Sequence, residues 1–300
     1  MTEYKDIAMH DIQSVTNAQK AQILMNALPY IKKYSGKIVV VKYGGNAMVN
    51  ESLKRAVMGD IVLLNLIGIK VVLVHGGGPH IKEVLDRVGI ESKFIDGLRV
   101  TDAETMKIVQ MVLAGQVNKD LVSLIGSMGG NAIGLCGLDD RMIRVRKQSD
   151  DLGFVGKITS LDVEIIQDNL DKGYIPVIAT SGTDKNGQAY NINADTAAAA
   201  IAIALHAEKF VSMTDIVGLL YDKDDESTLI PEVEISEIEG YKAHGVISGG
   251  MIPKIEGMAD AIYEGVHEAV IIDGRVPHSV LLEMFSDRGS GTLFYRRGNR

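Results

Sequence analysis

Three short runs constrain this chain more than any other feature. KIVVVKY (37–43), KVVLVH (70–75) and YIPVIA (174–179) are apolar and β-branched on both alternating faces. A strand that is apolar on both faces has to be covered on both, which is the situation of a parallel sheet layered between helices. The text between and after the runs supplies those helices. Apolar residues recur at helical spacing over Glu51–Ile67, Ile81–Val88, Ala103–Leu113 and Leu161–Leu170. The second half resumes with a helix at Ala194–Leu205, strands at Lys209–Met213 and Glu268–Ile272, and a helix at Met251–Tyr263. The fold class predicted is α/β, an open and mainly parallel sheet sandwiched by helices. Arg141–Ile158 alternates like a hairpin and is expected at a sheet edge or in a flap. No linker rich in Pro, Gly or Ser divides the chain, so two lobes, 36–190 and 191–300, are expected to share one sheet.

Residues 1–35 stand apart as a leader with an extra N-terminal helix. Leu24, Ala27, Leu28 and Ile31 form an apolar stripe, Ile12 and Val15 mark an earlier turn, and Ser14, Thr16 and Asn17 mark a bend. The stripe needs a partner surface, on its own domain or on another subunit.

Composition removes several function classes. There are 39 acidic against 31 basic side chains, a net charge of -8, no long Lys/Arg block and no Trp. A nucleic-acid binder needs a basic footprint, so no nucleic-acid partner is expected. Cys136 is the single cysteine, which excludes an internal disulfide and a cysteine-based zinc site. The longest unbroken apolar run, Ala197 to Leu205, is too short to span a bilayer, and MTEYKDIAMHDIQ has no secretory pattern. No membrane contact and a cytoplasmic location are expected. The P-loop, G-x-G-x-x-G, H-E-x-x-H and G-x-S-x-G motifs are all absent.

What is present is glycine at strand ends. Gly44-Gly45 follow KIVVVKY, and Gly76-Gly77-Gly78 follow KVVLVH, with Pro79 where a helix should begin. Ligands of open parallel sheets bind at the carboxyl ends of the strands. Glycines there let backbone N–H groups close on an anion, and a helix N-terminus adds positive potential. Lys42, inside an apolar strand, reads as functional or as a snorkelling lysine. Lys254 taken alone reads as a solvated helix lysine, and Asp195 as a first-turn acid favoured by the helix dipole. Arg99 in DGLRVTD is either a hairpin arginine or a bidentate carboxylate clamp. Together the residues suit phosphoryl transfer, which needs positioning and positive charge more than covalent help. A carboxylate acceptor is already ionised at neutral pH and needs no general base.

VVVKYGGNAM, VLVHGGGPHI, DGLRVTD, YNINADTAAAAIA, SMTDIVGLLYD and GGMIPKIEG stand in the order and spacing of the amino acid kinase family, from about Ala27 to Thr292. Within it the chain resembles the arginine-biosynthetic branch, whose acceptor is N-acetyl-L-glutamate, and ALPYIKKYSGK resembles the leader of its arginine-inhibited members. The resemblance implies that Lys42 and Lys254 stabilise the transition state and that Asp195 holds both. It implies that Gly44 and Gly45 meet the transferring phosphoryl group, and that Gly77 and Gly78 bind the acceptor through backbone N–H groups. Arg99 would grip its α-carboxylate and Asn191 its acetamido group. Thr214, Asp215, Ile216, Val217, Gly218 and Leu219, with Val246, Ile247 and Ser248, would form the ATP pocket. Mg²⁺ would be carried by the ATP phosphates rather than by protein ligands. His267, Glu283, Gly289 and Ser290 resemble an inhibitory L-arginine site, and the leader implies a homohexamer, a ring of three dimers. The competing implications are a kinase of carrier-protein-linked aminoadipate or glutamate, and a non-catalytic amino acid or nucleotide sensor on the same fold.

Overall fold

A computed structural model of the chain describes residues 15–248 and 251–298. Ile12 and Ser14 of the leader, and the glycine pair before Met251, lie outside the described residues. Thr16 closes a capping box with Gln19 and starts α1 (Asn17–Tyr34). β1 (Ile38–Tyr43) passes through a 3-10 turn at Gly45–Met48 into α2 (Glu51–Leu66), capped by the Asn50 side chain. β2 (Lys70–His75) leads straight into α3 (Gly78–Arg87), followed by a two-residue hairpin, β3 (Phe94–Ile95) and β4 (Leu98–Arg99).

The helix expected at Ala103–Leu113 is longer than that. α4 (Ala103–Gln110) continues through a π segment, Met111–Val117, into α5 (Asn118–Ser127). By length and composition this is the one described helix able to cross a membrane, but Val109, Leu113, Leu121 and Ile125 bury its apolar side in the core. β5 (Ala132–Cys136), a strand with no strong apolar signal, comes next. β6 (Ile143–Lys147) and β7 (Gly156–Leu161) form the expected hairpin. It builds a separate four-stranded sheet, not the edge of the main one, with β9 (Ser181–Thr183) and β10 (Ala189–Asn191). Between them come α6 (Glu164–Asp171) and β8 (Ile175–Ala179); Leu161 is the end of β7 instead of a helix start. The remaining elements are α7 (Ala194–Ala204), β11 (Lys209–Thr214), β12 (Glu232–Glu234), α8 (Ile238–Ala243), α9 (Met251–Tyr263), β13 (Glu268–Asp273), α10 (Ser279–Met284) and β14 (Gly291–Tyr295).

The main sheet has the order β12-β14-β13-β11-β1-β2-β8-β5. Only β13–β14 is an antiparallel pairing; the other six are parallel. The central strand β1 joins β2 from the first half of the chain to β11 from the second. Alternation along the strands divides the core into two layers. Val39, Val41, Val71, Leu73, Val211 and Met213 face α2, the α4–α5 segment and α10, whereas Val40, Val72, Val74 and Phe210 face α7 and α9. The alanines of α7 let that helix lie close on β1 and β2.

Candidate active site

Strand alternation decides where Lys42 goes. It shares a face with Val40, so it rises on the α7 side at the carboxyl end of β1, and it is buried. Asn193 caps α7 by accepting from the Thr196 N–H, which sets Asp195 in the first turn above the strand ends. Lys42 Nζ lies 3.1 Å from Asp195 Oδ1, and Lys254 Nζ, from the first turns of α9, lies 3.4 Å from Oδ2. Ser212, next to Lys42 in register on β11, donates to Oδ1 at 3.2 Å. Burial pushes the Asp195 carboxyl up, but the two ammonium groups outweigh it and hold it below the usual range. Burial and the Lys42 charge pull the Lys254 ammonium down, against the restoring pull of Asp195. Two cations thus share the Asp195 carboxylate beside the glycine loops, where the Asp215 carboxylate also stands close to Gly45 and Lys254. A Cβ on Gly44 would stand 3.0 Å from Lys42 Nζ, and Gly45 holds φ +71 in a place where a side chain would collide with the Asp215 carboxylate.

Next to this cluster opens a cavity of about 150 Å³ lined by Gly76, Gly77, Gly78, Arg99, Asn191 and Ala194, among others. Arg99 is buried, donates to Ser92 Oγ at 2.5 Å and to the Gly78 carbonyl at 3.1 Å, and stacks over Phe94 at 4.7 Å. Burial draws its guanidinium below the ordinary value. Asn191 donates to Thr101 Oγ1 at 3.3 Å, and that hydroxyl donates to the Arg99 carbonyl at 2.8 Å. The acceptor residues expected from the sequence therefore share one cavity.

Thr214 to Leu219 leave the carboxyl end of β11, and Val246 to Ser248 approach α9. Thr214 Oγ1 and the Ile216 backbone bond one another at 3.2 Å, and Gly218, at φ +146, lies against Thr292, which accepts from the Leu219 N–H. Leu219 and Ile247 are buried in one apolar cluster, so what they present outward is backbone.

A second cavity, of about 170 Å³, lies at the amino ends of β11 and β13, against α1. Glu283 and Gly289 line it, together with Tyr30, Lys33, Lys209 and Glu268. Ser290 is tied behind it, its N–H on Glu283 Oε2 at 2.9 Å. His267 lies outside the lining, one residue before Glu268, with Nδ1 3.9 Å from Glu208. Lys209 bridges Glu283 at 2.7 Å and Glu268 at 3.2 Å, and Lys33 reaches Glu268 at 2.9 Å.

Residues 37–273 match the model of the amino acid kinase family. The chain belongs to the amino acid kinase family. Among its relatives, the acetylglutamate kinase of Brachyspira hyodysenteriae is 52% identical over 95% of this chain and 100% of its own. That of Clostridioides difficile is 54% identical over 92% and 97%. Among solved structures, an N-acetylglutamate synthase from Neisseria gonorrhoeae, complexed with coenzyme A and N-acetyl-glutamate, superposes with a TM-score of 0.81 at 25% identity. The alignment covers 93% of this chain and 64% of that one. Carbamate kinase from Giardia superposes with a TM-score of 0.66 at 16% identity, over 87% of this chain and 99% of its own, a likeness of fold alone.

The geometry adds residues that motif reading passed over. Ser212 steadies Asp195, and Ser92 steadies Arg99. Lys209, Glu268, Lys33 and Tyr30 furnish polar groups of the second cavity. The one sequence signal for Lys209 and Glu268 is that each opens an otherwise apolar strand with a charge of opposite sign; the strands pair Lys209 with Glu268 in register. A divalent ion arriving with a nucleotide fits this family member without a protein cage. Both Asp195 oxygens are taken by ammonium groups, and among the described residues no three His, Cys, Asp or Glu side chains gather to hold a metal. Mg²⁺ would keep phosphate and water ligands, as the ion prefers.

Proposed function

We propose that this chain transfers the γ-phosphoryl group of MgATP to the side-chain carboxylate of N-acetyl-L-glutamate, giving N-acetyl-L-glutamyl 5-phosphate and ADP in arginine biosynthesis. The convergence of Lys42 and Lys254 on Asp195, beside the cavity holding Gly77, Gly78, Arg99 and Asn191, carries this reading. In it, a carboxylate oxygen of the acceptor attacks the γ-phosphorus, the bond to the β-phosphate oxygen breaks, and no proton has to be removed. Lys42 and Lys254 face the oxygens on which charge spreads, and Asp195 keeps the two ammonium groups in place. Mg²⁺ supplies neutralisation of the nucleotide phosphates. Gly44 and Gly45 present backbone N–H groups to the moving phosphoryl group. Arg99 holds the α-carboxylate, and Asn191 the acetamido group. The 36–190 lobe takes the acceptor; the 191–300 lobe takes ATP along Thr214–Leu219 and Val246–Ser248.

The second cavity takes L-arginine as a feedback inhibitor, its guanidinium on Glu283 and its backbone against the turn at Gly289 and Ser290. Because Tyr30, Lys33 and Tyr34 of α1 line that cavity, inhibition is coupled to the leader. Leu24 and Leu28 of α1 are exposed and meet their counterparts on a neighbouring subunit in a cytoplasmic hexamer. Arginine binds the less active arrangement better, since differential affinity alone shifts a population.

The decisive assay traps acyl phosphate with hydroxylamine across N-acetylglutamate, glutamate, aspartate and carbamate. Hydroxamate forms chiefly from N-acetylglutamate; equal turnover of free glutamate, or no product, rejects the assignment. Deleting residues 1–26 yields dimers that retain turnover and lose arginine inhibition, read by sedimentation and inhibition curves. A truncated hexamer that stays fully sensitive ends the regulatory part.

A further inference from the structure

His75 ends β2 just before the three glycines and is fully buried. Alternation places it with Val71 and Leu73, on the face of the sheet opposite Asp195 and toward the α4–α5 segment. Its Nδ1 lies 2.8 Å from the carbonyl oxygen of Gly76, which can only accept, so Nδ1 carries the proton. Its Nε2 lies 3.1 Å from Asn118 Nδ2. The orientation of that amide follows from its surroundings. Nδ2 also donates to the Val177 carbonyl at 2.8 Å and the Leu135 carbonyl at 3.3 Å, while Oδ1 accepts from Lys119 Nζ at 3.0 Å. The two hydrogens of Nδ2 serve three acceptors, so one is shared; with Nδ2 the donor, Nε2 is bare and the imidazole is the neutral Nδ1–H tautomer. Burial, with the nearby His80 and Lys119, pulls the imidazole down to about 4, so it stays neutral near pH 7.

In a trans peptide the carbonyl and the next N–H point in opposite directions. With the Gly76 carbonyl held on His75, the Gly77 N–H is turned away from His75; Gly77 lines the acceptor cavity and His75 does not. Between two glycines this peptide has the greatest freedom to flip, so the hydrogen bond has an orientation to defend. The π segment completes the support. Residues five apart stand roughly 140° apart around an α-helix, but a π turn brings them nearly onto one face. The Asn118 N–H bonds the Leu113 carbonyl across such a turn, so Leu113 packs against Gly77 while Asn118 reaches His75.

We propose that His75, held in one tautomer by Asn118, is a positioning residue for acceptor binding: it aims the Gly77 N–H into the cavity by fixing the Gly76 carbonyl. This rests on the acceptor role of the cavity given above. The test uses the hydroxamate assay on the full chain. In His75→Leu the KM for N-acetylglutamate rises about tenfold or more while the KM for ATP stays within about twofold, the scale of one lost alignment hydrogen bond. His75→Asn, whose amide nitrogen stands where Nδ1 stood, recovers the acceptor KM to within about threefold of wild type. An unchanged acceptor KM in folded His75→Leu, an equal rise in both KM values, or an Asn variant no better than Leu overturns the proposal. Long-range ¹H–¹⁵N spectra of the wild-type protein read the tautomer without any variant or substrate. A protonated Nδ1 and bare Nε2 are expected near pH 7, and the other tautomer or a charged ring overturns it. Wild-type protein that makes no hydroxamate from N-acetylglutamate fails the reaction assignment instead, and the spectra still judge His75.

Discussion

Two clusters of lysine and carboxylate are built on the same strand with opposite proportions. At the carboxyl end of β11, near Ser212, two lysines share Asp195. At its amino end, about 10 Å away at ~3.3 Å per residue, Lys209 is shared by Glu268 and Glu283. The first cluster lies on the α7 face and the second on the face of α10. The first gathers two ammonium groups on one carboxylate beside the glycine loops, with the Asp215 carboxylate standing at Gly45. The second has a carboxylate to spare: its cavity is lined by four carboxylates, Glu232, Glu268, Glu283 and Asp287, against three cations, Lys33, Lys209 and Arg288. The backbone N–H groups and two ammonium groups of the first suit an anion, and the carboxylate excess of the second suits a cation. Burial differs as well. The Lys209 side chain is 4% exposed, whereas Lys254 is 19% and Asp195 31% exposed. The second cluster should therefore contribute more to folding, and the first more to chemistry.

That division fails most visibly if Lys209 is replaceable. Lys209→Met keeps the length of the stem and leaves two buried carboxylates facing each other, a loss of about 3–5 kcal/mol for a broken buried pair. Urea unfolding should show it as a lower midpoint at constant slope. A change under about 1 kcal/mol would mean that water or Lys33 takes over the neutralisation, and that the cluster is less sealed than its geometry indicates.

Lys42→Ala and Lys254→Ala come next. Each should lower kcat by roughly 10²–10³, the cost of losing a charge aimed at the transition state, with smaller changes in either KM. Stability should fall less than in Lys209→Met, because Asp195 keeps the other ammonium. The comparison breaks if Lys209→Met proves stable but loses a hundredfold in turnover, since the two clusters would then act as one unit along β11.

What could be read in the sequence follows the same division between local pattern and assembled geometry. β1, β2 and β8 declare themselves through runs rich in Val and Ile, and the glycine loops through their place after those strands. Lys42 stood out because a charge inside such a run is anomalous. Lys254 and Asp195 are ordinary as single residues, and only the family pattern joins them; their meeting needs α7 and α9 to converge on one strand end. The helix beyond Leu113 was missed because Gly115, Gln116 and Asn118 interrupt the apolar repeat while the π segment shifts its phase. β5 was missed because Ala132 and Gly134 give an edge strand little apolar signal. His75 and Asn118 are ordinary polar residues until a fold buries them together.

The smallest effect is the acid limb of stability, and it separates Glu268 from its surroundings. Burial pushes the Glu268 carboxyl up, but Lys209 and Lys33 outweigh it and hold it at about 2 against an ordinary 4.5. A carboxyl depressed by folding contributes stability that is complete above its unfolded pKa and is lost as pH falls from about 4.5 through about 2. Two other groups bend the same curve. His75 lies at about 4 against an ordinary 6.5, so between those values the unfolded chain binds more protons and acidification disfavours folding. Asp60 runs the other way. Burial raises it to about 6 from 3.8 despite His278, so over that interval the folded chain binds more protons and acidification favours folding. Both remain in Glu268→Gln, so the difference between that variant and wild type isolates Glu268. The wild-type margin in denaturant midpoint should be flat from neutral pH to about 5 and should shrink steadily from about 4.5 to about 2.5. A margin that stays constant across the acid limb would show that Glu268 contributes packing rather than charge, and the lower cluster would reduce to the single pair Lys209–Glu283.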